Sequence, residues 1–134
     1  MPVLAYLVAL LVFVALDLLW LSLMGPGYRA VMGDELLPAL RVAPAVAFYL
    51  LEPLGLWIFV MLPGRMRGAT WVILRGALFG LFTYGTYDLT SYAVMKRWDL
   101  TLTVEDMVWG MVVSSIAATT GWAVMRDRTR RRRR

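Results

Sequence analysis

A chain of 134 residues with no Cys, no His, 60% hydrophobic residues and only 17% charged ones has room for about one domain, and a soluble domain would carry about 25% charged residues. The mean hydropathy of +0.67 and the long apolar runs place it in the membrane class. Lack of Cys excludes disulfides, zinc–thiolate sites and thiol nucleophiles, and lack of His removes the usual near-neutral proton carrier, so any acid–base or ligand chemistry rests on carboxylates, Tyr, Ser and Thr.

The net charge of +5 belongs to the C-terminal end, where Arg126, Arg128 and Arg130 to Arg134 crowd together. The remainder of the chain is slightly acidic. Beside a membrane helix such a tail suits anionic lipid, worth about 1 kcal/mol per charge, and no nucleic-acid partner is expected.

Residues 3–24 form one apolar run broken only by Asp17. About 20 residues at 1.5 Å rise cross a hydrocarbon core of roughly 30 Å. A signal peptide is the competing reading; it conflicts with the missing basic n-region, the length of the run and the acid inside it. Gly25-Pro26-Gly27 is expected to end this helix, leaving Tyr28, Arg29, Asp34 and Glu35 in a loop. The second span covers 40–62 and should kink at Pro53. Glu52 precedes that proline near mid-membrane and is expected to bond a carbonyl that Pro53 frees. The third span covers 69–94, the fourth 102–125, and 126–134 is a basic cytoplasmic tail. The expected fold is all-α, an integral-membrane four-helix bundle. Lys and Arg placement puts both termini in the cytoplasm with the Arg65 and Arg67 loop, as for a multi-pass inner-membrane protein. Trp20 and Trp98 suit the outer interface, and Trp71 and Trp122 the inner one.

Counting residues along the spans brings Asp17, Asp88 and Asp106 to roughly one helical turn of a common level in the outer half, with Glu52 deeper. Each acid lies on a coherent helical face. Tyr6, Leu10, Phe13, Asp17, Trp20 and Met24 share one; Gly76, Gly80, Tyr84, Asp88 and Ser91 another; Asp106, Trp109, Gly110, Ser114, Ala117 and Gly121 a third. Gly76-x-x-x-Gly80 is a close-packing motif for membrane helices. Asp17-x-x-Trp20 and Asp106-x-x-Trp109 repeat one short pattern, with the indole N–H on the face of the acid.

These faces are expected to turn inward, giving a polar site lined by Asp17, Trp20, Tyr49, Glu52, Tyr84, Tyr87, Asp88, Asp106 and Trp109. Intramembrane acids are costly and frequently functional. Asp17, Asp88 and Asp106 could hold a cation, and all-oxygen ligands would favour magnesium, calcium or manganese. A polar or lipid-like ligand, or acid–base work on one, is the other use of the same groups.

The run Tyr84-Gly-Thr-Tyr-Asp-Leu-Thr90, with Asp17-Leu-Leu-Trp20, Tyr28-Arg29, Phe48-Tyr49, Gly80, Trp98, Asp106 and Trp109-Gly110, resembles the bacterial family of small membrane proteins catalogued as domain of unknown function 2177. The resemblance reaches to about Val124 and leaves the Arg tail outside. It implies a four-helix inner-membrane protein and brings no established activity. Two alternatives to a binding or catalytic site stand beside it. One is a structural or accessory subunit, with the acids as glue between helices. The other is a proton-coupled small transporter, which would require a homodimer.

Overall fold

The computed structural model describes residues 2–131, with side chains from residue 3 to Arg126. Four long helices make the fold: α1 (Pro2–Met32), α2 (Val42–Leu56), α3 (Ala69–Val94) and α4 (Leu100–Arg131). The basic tail expected over 126–134 lies, beyond Arg126, outside the described side chains. Helices α1, α2 with its extension, and α4 are long and apolar enough to cross a membrane. Helix α3 spans 26 residues but carries too many polar groups to match their apolarity.

The bundle is turned inside out relative to a soluble one. Leu11, Leu18, Leu23, Val46, Leu51, Phe59, Leu74, Phe82, Val104 and Val108 are exposed, whereas Asp17, Glu52, Asp88, Asp106, Thr103 and Ser114 are buried. Lipid is as apolar as Leu, so an outward Leu costs nothing there, while polar groups must find partners inside. Exposed hydroxyls obey the same rule locally: Thr86 donates to the Phe82 carbonyl and Thr90 to the Thr86 carbonyl.

Helices α3 and α4 pack most closely. A Cβ on Gly80 would lie 2.0 Å from the Gly110 carbonyl oxygen, and one on Gly76 would lie 2.9 Å from the Ser115 Cα. The small-residue stripes therefore do what their spacing suggests and let two backbones touch. Helix α1 packs on α4, with Ala5 and Ala9 fully buried beside Gly121.

The expected end of α1 at Gly25-Pro26-Gly27 is not found: the helix continues to Met32 with Pro26 inside it. Pro26 costs one backbone hydrogen bond, to Ser22. Tertiary contacts offset that loss, because the extra turns carry Tyr28 back to Trp20 and Trp98. The helix stops at Gly33, whose φ of +51° suits glycine. In α2 the disturbance comes after Pro53, as a π-helical turn over Trp57–Met61 closed by the Leu62 N–H on the Trp57 carbonyl at 2.9 Å.

Two tryptophans expected at the outer interface make their polar contacts inside the protein. Trp20 is drawn into the bundle, and Trp98 is buried with its indole N–H on Thr103 at 3.1 Å. At the other end Trp122 is also buried, donating to the Gly64 carbonyl at 2.7 Å, with the Arg126 guanidinium 4.8 Å from its ring centre. That bond ties α4 to the α2–α3 connection. Trp122→Phe removes the donor and leaves part of a buried ring's space unfilled, so it should cost about 1–3 kcal/mol. The check is a lower unfolding midpoint together with faster tryptic cleavage at Arg65 and Arg67, both exposed.

Candidate functional site

The acids of the four helices meet along the bundle axis in three tiers, each about one helical turn from the next. Asp17 on α1 is the hub of the middle tier. Its Oδ1 accepts the Tyr84 hydroxyl and the Trp109 indole N–H, each at 3.0 Å, and its Oδ2 accepts the Tyr49 hydroxyl at 2.8 Å. One carboxylate thus draws a donor from each of the other three helices. Tyr49 and Tyr84 reach it because they sit on the inward faces of α2 and α3, and Phe48 packs edge-on between them at 5.4 and 6.4 Å.

The upper tier holds Asp88 and Asp106. Trp20 donates its indole N–H to Asp106 Oδ1 at 3.2 Å and to the Tyr28 hydroxyl at 3.1 Å. The Asp88 and Asp106 carboxyls face each other across the α3–α4 contact. Asp88 is completely buried, yet neither of its oxygens receives a hydrogen bond from a described residue. Tyr87, half exposed, meets the Trp98 ring edge-on at 5.6 Å.

The lower tier is Glu52 with Thr83, whose hydroxyl donates to Glu52 Oε1 at 3.0 Å. The expected bond from Glu52 to a carbonyl freed by Pro53 is not the one formed, because the Thr83 hydroxyl offers a donor across the helix contact. Ser114, one turn below Gly110, is buried with an unbonded hydroxyl.

The repeated Asp-x-x-Trp pattern now has a physical reading. Helices α1 and α4 run antiparallel, and each tryptophan serves the other helix's aspartate: Trp109 bonds Asp17 and Trp20 bonds Asp106. The two indoles stack between them, 4.7 Å apart and 3° from parallel. Reciprocal pairing accounts for the likeness without an internal repeat.

Among the described residues no three acidic side chains are grouped so that they could hold a metal ion. Asp17 is taken up by phenol and indole donors one turn below the Asp88–Asp106 pair. Arg29 and Arg41 are exposed, so neutral donors rather than arginines accompany these acids. Two contributors escaped the sequence reading, Tyr28 and Thr83. Tyr28 would have been visible only by continuing α1 through the Gly-Pro-Gly run, which places it two turns beyond Trp20.

A family model described as a predicted membrane protein (DUF2177) matches residues 2–123. No curated protein and no solved structure matches the chain. The matched segment covers all three tiers and the bundle that holds them, up to the last turns of α4. The chain belongs to the DUF2177 family of predicted membrane proteins.

Proposed function

We propose that the protein is a small inner-membrane binding protein whose ligand site is the Asp88–Asp106 end of the acid ladder. The observation that carries this reading is the contrast between Asp17 and Asp88. Asp17 has a donor from every other helix, as a structural anchor should. Asp88 is as deeply buried, and among the described residues it meets no phenol, indole or hydroxyl donor, only the facing Asp106 carboxyl. A buried acid without a donor is costly, and a bound ligand that supplies the donor removes the cost. The Asp17 network then acts as the rigid frame that holds the upper tier open to its ligand.

All four helices cross the membrane in this reading, with both termini cytoplasmic. Arg65, Arg67, Arg75 and Arg126 gather at one end, and Arg75 and Arg126 lie over Trp71 and Trp122. A basic end with interfacial Trp is what the cytoplasmic face carries, and anionic lipid is its natural partner. Since the chain has no Cys, a single Met66→Cys reporter on the exposed α2–α3 connection reads topology directly. Labelling by a membrane-impermeant maleimide should occur in inverted vesicles and not in intact spheroplasts.

The ligand-site reading makes a further prediction that separates it from a purely structural role. Asp88→Asn replaces one of two facing carboxyls with an amide that can donate to Asp106. The ligand-free variant should be more stable than the parent by about 0.5–1.5 kcal/mol, measured by denaturant unfolding in micelles. If Asp88 were glue between helices, the same change would lower stability instead.

A further inference from the structure

We infer that the ligand of the upper tier is an organic ammonium ion, either free or carried as the headgroup of a zwitterionic lipid; this rests on the binding reading above and names its substrate class. The Asp88 and Asp106 carboxyls face each other with no cationic side chain between them. Arg29, Arg41, Lys96 and Arg97 are all exposed, and Arg97 lies against Gly33. Asp88 contributes two buried oxygens that lack a donor. An ammonium group supplies both the missing charge and the missing N–H donors. A neutral sugar would leave the charge of the acid pair unneutralised, and an anion would add to the repulsion.

Aromatic rings complete the recognition chemistry. Trp98 is only 4% exposed, fixed by its bond to Thr103. Tyr28 packs on it at 6.3 Å and Tyr87 meets it at 5.6 Å, nearly perpendicular. Trp20 closes the same end through its bonds to Tyr28 and Asp106. Aromatic faces attract alkylammonium groups, most strongly where water is excluded. Carboxylates beside Trp and Tyr therefore match both halves of such an ion, its charge and its apolar substituents.

The cover of this tier follows the proline inside α1. Pro26 leaves the Ser22 carbonyl without its helical partner, and nothing lies within 4 Å of a Cβ built on Gly25 or Gly27. Tyr28 follows directly, so bending at this point lifts its ring from Trp98 and gives the ligand its entry.

The test is thermal unfolding of the full-length protein in dodecyl maltoside micelles, followed by tryptophan fluorescence. Mixed micelles contain phosphatidylethanolamine or phosphatidylglycerol; parallel samples contain methylamine hydrochloride, ethanolamine hydrochloride or sodium chloride at matched ionic strength. Phosphatidylethanolamine or a free amine at saturation should raise the midpoint by about 5–10 °C, and phosphatidylglycerol and sodium chloride should not. A shift with the lipid alone assigns a headgroup ligand, and a shift with methylamine or ethanolamine assigns a free amine. Asp88→Asn should abolish the shift, and Tyr87→Leu, at a half-exposed position, should weaken the affinity several-fold. Equal midpoints with every additive, or a shift that survives Asp88→Asn, would overturn the ammonium assignment. If Asp88→Asn also destabilises the ligand-free protein, the binding site itself is wrong; if it stabilises while amines do nothing, only the ligand class is.

Discussion

Asp17→Ala is expected to cost about 2–5 kcal/mol, the largest loss available from a single polar side chain in this bundle. The substitution strands the Tyr49 and Tyr84 hydroxyls and the Trp109 indole N–H. Interhelical hydrogen bonds in membrane proteins contribute about 0.6 kcal/mol on average and up to about 1.7, and three are lost together. Asp17→Asn should cost only about 1 kcal/mol. Its amide oxygen can still serve Tyr84 and Trp109, which share Oδ1, and the Tyr49 hydroxyl can turn from donor to acceptor toward the new NH₂. The measurement is reversible unfolding in mixed micelles, with a double-mutant cycle against Tyr84→Phe. A coupling energy near zero between Asp17 and Tyr84, or equal losses for the Ala and Asn variants, would show that the hub does not hold the helices.

The inward faces of α3 and α4 were legible from spacing alone, whereas on α1 only Phe13 and Asp17 of the expected stripe are buried, beside Ala5 and Ala9 outside it. Gly76, Gly80, Tyr84, Asp88 and Ser91 are all buried, as are Asp106, Gly110, Ser114, Ala117 and Gly121. That pattern is robust because a membrane helix with one polar stripe has only one way to avoid lipid. What resisted was anything that depends on the neighbour. A Trp near a helix end reads as an interfacial anchor, and only the pairing of α1 with α4 shows that Trp20 is a donor to Asp106. The Gly25-Pro26-Gly27 run reads locally as a helix end, but the distant Trp98 ring decides that the helix goes on. Residue counting placed the aspartates within roughly one helical turn of a common level, and the structure sets Asp17 about one turn below the other two. That single turn separates the Asp17 anchor, with three donors, from the Asp88–Asp106 pair, which the Trp20 indole reaches only at Asp106.

Gly80→Ala should be as damaging as the loss of the hub, for a reason unrelated to polarity. The added methyl would sit 2.0 Å from the Gly110 carbonyl oxygen and 2.7 Å from the Ser114 hydroxyl. Backbone cannot rotate away as a side chain can, so α3 and α4 must separate. Overpacking a tight contact costs about 1–3 kcal/mol, and here the separation also pulls Tyr84 from Asp17 and Thr83 from Glu52. A total of about 3 kcal/mol or more is expected. Gly110→Ala should behave alike from the other side, because its methyl would meet the Tyr84 ring at 2.3 Å. Gly27→Ala is the control: nothing lies within 4 Å of its Cβ position, and a helical glycine replaced by alanine gains about 0.4–1 kcal/mol. The two classes should therefore move the unfolding midpoint in opposite directions. A Gly80→Ala protein as stable as its parent would mean that α3 and α4 do not touch at this point, and the depth at which Asp88 meets Asp106 would have to be redrawn.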